Sequence, residues 1–177
     1  MTVETSPRAG VHVVDHGFGL LDMGEIPIET VDYSNGLLAP MSAGAMVCTG
    51  IDTGYARVRV ITRAGPPGEI VEADDAPWEE VVEADVHAPY GQLCVDSLLH
   101  GPVANLPVLS TAGPGRYRIR AHARGRDTAY DMVREDPVED YLLVVWPARD
   151  GADPSMIRVT DRCGRGMRAS EREAPGA

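Results

Sequence analysis

Along the chain, polar and apolar positions alternate with period two over short runs, and Gly and Pro punctuate those runs every ten or so residues. "YARVRVIT" at 55 to 62 is the cleanest case, with Arg57 and Arg59 on one face and Val58 and Val60 on the other. "EEVVEADVHA" at 79 to 88 sends Val82, Ala84 and Val86 one way and Glu83, Asp85 and His87 the other. "PGRYRIRAHARGRD" at 114 to 127 opens on a turn and then sets Arg116, Arg118 and Arg120 against Tyr117, Ile119 and Ala121. Shorter segments predict strands within 10 to 24, 44 to 52 and 91 to 98, with "LPVLS" at 106 to 110 as an edge strand. "VEDYLLVVWPA" at 138 to 148 is the most apolar run and fits a central strand covered on both faces.

Helical periodicity is poor throughout. The best helical segment, "DTAYDMVRE" at 127 to 135, reads as a loop with one turn of helix. The pattern predicts an all-β chain: one β-sandwich or jelly-roll domain over 10 to 148, with about seven to nine mostly antiparallel strands. Residues 1 to 9 read as a flexible N-terminus. Residues 149 to 177 read as an extension with one edge strand at 156 to 162 and then a flexible tail, "CGRGMRASEREAPGA".

Composition narrows the function. At 177 residues the chain is long enough for a core without disulfides or metals. All 16 basic residues are Arg, the usage of a GC-rich bacterial genome. The start "MTVETSPRAG" lacks the form of a signal peptide, and no apolar run has membrane-spanning length, so a cytoplasmic protein is expected. Cys48, Cys94 and Cys163 are odd in number and widely spaced, which suggests neither a disulfide framework nor a zinc knuckle.

Charge is uneven. Residues 149 to 177 hold six Arg against five acids, and the first 148 hold ten Arg against 22. Eight of those acids fall between Glu69 and Asp85 with no basic residue among them. Glu72, Asp74, Asp75, Glu79 and Glu80 there surround Trp78, the composition of an anchor for a basic protein surface. The same negative balance opposes nucleic-acid binding. The five arginines between 116 and 126 are expected to answer the protein's own acids, with Arg57, Arg59, Arg116, Arg118 and Arg120 laddered against Glu83 and Asp85. Arg124 and Arg126, beyond the alternating part of that strand, are the pair left for an anionic ligand.

No catalytic signature stands out. His12 and His16 would share a face on a helix, but in a strand they lie roughly 13 Å apart, too far for one metal ion. Ser42, Ser97 and His100 lack the elbow-like frame of a nucleophile. The expectation is therefore no catalytic residue, no metal and no cofactor.

The order of segments from the N-terminal strand through "GAMVCTG", "YARVRVIT", "PWEEVVEADVHAP" and "GQLCVDS" to "PGRYRIRAHARG" and "EDYLLVVWP" resembles the competence-associated nuclease inhibitors, the ComJ-type family. The resemblance covers residues 10 to 148 and implies a small acidic β-protein that blocks a nuclease. The leading expectation is a binding module, an inhibitor or immunity protein for a basic partner, with no membrane attachment. Two alternatives stand beside it: an enzyme or small-molecule binder with a cleft between the sheets, and a subunit whose Arg-bearing strand pairs with a second copy.

Overall fold

The computed structural model describes residues 3–70 and 76–174, which form two sheets and one α-helix. The larger sheet is built on β6 (Thr53–Thr62), β7 (Glu80–Ala88), β10 (Gly115–Arg124) and β12 (Asp140–Pro147), the four segments with the strongest patterning. β1 (Glu4–Thr5) and β13 (Ser155–Val159) complete the order β1-β6-β12-β10-β7-β13, while β2 (Ala9–Val13) and β11 (Val133–Arg134) also pair with β6. The sheet is mixed, because β12 and β11 run parallel to β6. The smaller sheet is antiparallel, in the order β4 (Leu38–Pro40), β5 (Ala45–Cys48), β3 (Gly17–Asp22), β8 (Leu93–Ser97) and β9 (Gly101–Pro102).

Period two decides what is buried. Val58, Val60, Val82, Ala84, Val86, Ile119 and Leu143 of the larger sheet share one core cluster with Phe18, Leu20, Val47, Leu93 and Val95 of the smaller. Each of the Val, Leu, Ile and Phe side chains among them contributes about 1.5–3 kcal/mol when fully removed from water. β12 is covered on both faces: Tyr141, Leu143 and Val145 belong to that core, and Leu142, Val144 and Trp146 join Trp78 and Val81 in a second cluster on the opposite side. Among the described residues, no helix is long and apolar enough to cross a membrane.

The Arg ladder forms largely where alternation places it. β10 pairs antiparallel with β7 so that Arg118 faces Asp85 and Arg120 faces Glu83. Arg118 bridges both acids, at 3.3 Å to Glu83 and 3.0 Å to Asp85, and Arg120 meets Glu83 at 2.7 Å. Arg57 departs from the expectation, because β12 lies between its strand and those acids, and it binds Asp140 instead. Arg59 donates to the Ser6 carbonyl. With β12 on one side and β7 on the other, β10 has no free edge, so the Arg-bearing strand cannot pair with a second copy.

Four further expectations are corrected. Residues 106 to 110 form no strand; Leu109 instead enters the core, and Ser110 accepts from the Leu93 N–H through its hydroxyl. Residues 127 to 135 form turns ending in β11, without a helical turn. The N-terminal segment supplies β1, in register with Ile61 and Thr62. The predicted tail is α1 (Arg162–Glu173), a helix that starts on carboxylates: Asp161 accepts from Gly164 N, and Asp127 from Arg162 N and Cys163 N. Gly164 leaves room for buried charge beside the helix, since a Cβ there would lie 2.8–2.9 Å from the side-chain ends of Arg126, Arg168 and Glu80.

Asp140 accepts from both sides, a two-bond fork from Arg57 at 2.6 and 3.1 Å and a single bond from Arg124 at 2.9 Å. Burial alone would raise its carboxyl pKa, but the hydrogen bonds and charges of the two arginines outweigh it and hold the group below the ordinary carboxylate value. Its contribution is therefore complete above that ordinary value and is lost as pH falls through the lowered folded one. Asp140→Asn should lose about 3 kcal/mol at pH 7. Urea denaturation should find that difference shrinking toward pH 3; an equal difference at both pH values would contradict this account.

Candidate functional site

β2 and β3 are joined by a tight hairpin in which Val14 and Gly17 exchange hydrogen bonds and Asp15 and His16 adopt positive φ (50° and 61°). Two consecutive left-handed residues are what a right-twisted two-residue hairpin needs. The backbone of His16 is held on both sides, its N–H donating to the Asp52 carbonyl and its carbonyl accepting from Thr49 N. Its imidazole Nε2 thereby reaches 3.0 Å from an Asp131 carboxylate oxygen and 3.6 Å from one of Asp52. Asp131 comes from the loop after β10, its N–H donating to the Gly50 carbonyl at a φ of 59°.

These three groups are close enough to hold one metal ion, since one ligand atom from each lies within 4.8 Å of the others. A single imidazole with two carboxylates is a donor set for a divalent cation of intermediate hardness. The same atoms equally suit the ammonium or guanidinium group of an organic ligand.

Of the triad, His16 lines a cleft of about 270 Å³, together with Tyr33, Met46, Cys48, Tyr130 and Met167 among others, and Asp52 and Asp131 adjoin the cleft through their contacts with His16. A second hollow of about 260 Å³ shares Tyr130 and Cys163 with it and continues beside α1 to Asp127 and Arg162. The lining combines Met46, Val47, Cys48 and Met167 with two phenol rings, Tyr33 and Tyr130, and the polar side chains of Asp15, His16 and Thr49. That is the usual make-up of a small-molecule site. Tyr130 packs against the His16 ring with centroids 5.9 Å apart.

Burial disfavours the thiolate form of both thiols in the cleft. Burial pushes Cys48 up to about 12 and Cys163 up to about 11, the nearby Arg126 charge offsetting part of the rise in each case. They serve as small apolar lining.

The residues singled out in sequence lie elsewhere. Glu72, Asp74 and Asp75 fall outside the described residues. Trp78 is only 7% exposed and packs under the Arg124 guanidinium, 5.3 Å from its ring centre, so it belongs to the second apolar cluster and does not project as an anchor. Glu79 is half-buried and accepts from Gly125 N. Glu80 is fully buried, accepting from Asp161 N and pairing with Arg168 at 3.0 Å; burial raises its pKa against the pull of Arg168.

Arg124 is committed to Asp140 and the Ala76 carbonyl, and Arg126 to Asp161, so both meet anions of the protein itself. The structure thus joins Trp78 to Arg124 and, through Asp161, Glu80 to Arg126, but as internal supports. His12 and His16 do lie apart, His12 beside Tyr55 and His16 at the cleft. Sequence reasoning missed Asp52 and Asp131, which are 36 and 115 positions from His16; the one local sign was the "DHG" turn.

No family model matches the chain, and no curated protein matches it. Among solved structures, one described as crocagin biosynthetic gene J is similar at 18% identity, over 84% of this chain and 100% of that one, with a TM-score of 0.48. That likeness carries no argument about chemistry.

In the native protein, iodoacetamide at about pH 8 should alkylate Cys48 and Cys163 at least about a hundredfold more slowly than a free cysteine, followed by peptide mass spectrometry. Rapid labelling of either would mean that the cleft floor is more open or more polar than described.

Proposed function

We propose that the chain is a ligand-binding β-sandwich whose cleft takes a small molecule with an apolar body and a cationic end. The observation that carries the reading is the convergence of Asp52 and Asp131 on His16, which itself lines a largely apolar cleft walled by α1. The apolar part would lie along Met46, Cys48 and Met167, and the cation would sit among the carboxylates. With both thiols protonated, binding is the role these groups fit best.

A panel of hydrophobic amines and carboxylic acids of matched size, titrated by calorimetry, tests this. Amines should bind more tightly than the matched acids by roughly three- to tenfold, the scale of two part-exposed charge contacts. The preference should vanish in the Asp52→Asn, Asp131→Asn double variant. Equal binding of acids and amines, or amine preference surviving in the double variant, would contradict the reading.

A second reading keeps the basic protein partner, of which a nuclease is the type implied by the resemblance to the ComJ-type inhibitors. Its support is that Arg57, Arg118, Arg120, Arg124, Arg126 and Arg168 pair with the five acids Glu80, Glu83, Asp85, Asp140 and Asp161, which leaves ten Arg against 22 acids, a balance of −12, on the rest of the molecule. Since Trp78 and Glu80 are internal, the test is charge reversal at Glu72, Asp74 and Asp75 alone. Capture of a basic protein should weaken in that variant and at high salt; capture indifferent to both would discard this reading.

A further inference from the structure

At the seam between the two sheets, far along β2 from the cleft, a different polar group collects. His12 faces Tyr55 across the β2–β6 pair, their ring centres 5.3 Å apart. The turn between β8 and β9, closed by the His100 N–H on the Ser97 carbonyl, brings the His100 ring to 5.0 Å from that of His12. Together with Ser97 these residues line a hollow of about 200 Å³.

Two buried polar atoms of these lining residues are unanswered. Ser97 is only 4% exposed, and its hydroxyl has no hydrogen-bond partner among the described residues; the buried Nδ1 of His12 has none either. A protein that buries polar atoms normally satisfies them, so an orphaned hydroxyl and an orphaned ring nitrogen in one hollow point to a missing partner.

The chemistry of the hollow selects that partner. No charged side chain is among its lining residues, so nothing in the hollow would neutralise an anion in a protein of net charge −11. A cation that uses imidazole lone pairs does not meet that obstacle. Two imidazoles bound at about 2.0–2.1 Å to one tetrahedral ion place their ring centres roughly 5 Å apart, which is the spacing found here.

We propose that His12 and His100 form a binding site for a borderline transition-metal cation of the Zn²⁺ class, with Ser97 oriented toward the ion or a water bound to it. Imidazole nitrogen is the donor that suits such ions, whereas Mg²⁺ and Ca²⁺ prefer oxygen. The proposal is independent of the cleft.

The test is calorimetric titration of the full chain with Zn²⁺ alone. One equivalent should bind, with affinity falling at least about tenfold in His12→Ala and in His100→Ala. Ring-nitrogen NMR should show the His12 Nδ1 and a His100 nitrogen shifting together as Zn²⁺ is added. His100 lies in an exposed turn, so its variant carries the test should His12→Ala fail to fold. Absence of Zn²⁺ binding overturns the proposal. So does binding that is unchanged in His100→Ala but lost in Asp131→Asn, which would move the ion to the cleft rim.

Discussion

A single buried ion pair ties the helix to both sheets. Arg126 follows the last residues of β10, and its guanidinium is 0% exposed. It meets Asp161 through two bonds of 2.7 and 2.9 Å and spends a third nitrogen on the carbonyls of Gly36 and Cys48. Taking two such ions out of water costs several kcal/mol each, recovered only when geometry is good and the remaining donors and acceptors are met. Both conditions hold here. Asp161 spends its second role on the N-terminus of α1, accepting from Gly164 N. Burial works against the charge on Arg126, yet its contact with Asp161 holds the group above the ordinary arginine value. Gly50 lies so near the Arg126 backbone that any Cβ would collide with its carbonyl.

The cleft depends on this arrangement. Cys163 and Met167 on α1 form one wall, and Cys48, whose carbonyl binds Arg126, forms part of the floor. Asp127, one residue after Arg126, accepts from the first two helix N–H groups, and the same loop goes on to deliver Tyr130 to the cleft and Asp131 to His16. Glu80 and Arg168 add a second tie between β7 and the helix. A weakly helical segment with two glycines is thus kept helical, and kept in place, by buried charge.

The sheets were legible in the sequence because period two is a local property. Val58, Val82 and Ile119 face the core, and Arg118 and Arg120 meet Glu83 and Asp85, as alternation requires. The helix was not legible, since Gly164 and Gly166 depress its intrinsic propensity and its stability comes from Asp127, Asp161 and Arg126 at a distance. Trp78 was misjudged for a related reason: its acidic neighbours suggest solvent, but the outer side chains of β12 offer it a larger apolar surface. The rim of the cleft and the His12–His100 seam each join residues far apart in the chain, which no window of sequence can bring together.

The central claim is that the Arg126–Asp161 pair positions α1 and so builds the cleft. Amide hydrogen exchange of the Arg126→Met variant tests it most directly. The account predicts that residues 162–173 lose protection well before the β6–β12–β10–β7 strands do, because Asp161 is left buried without its partner. A helix as protected as in the parent protein, with the strands equally unaffected, would contradict it.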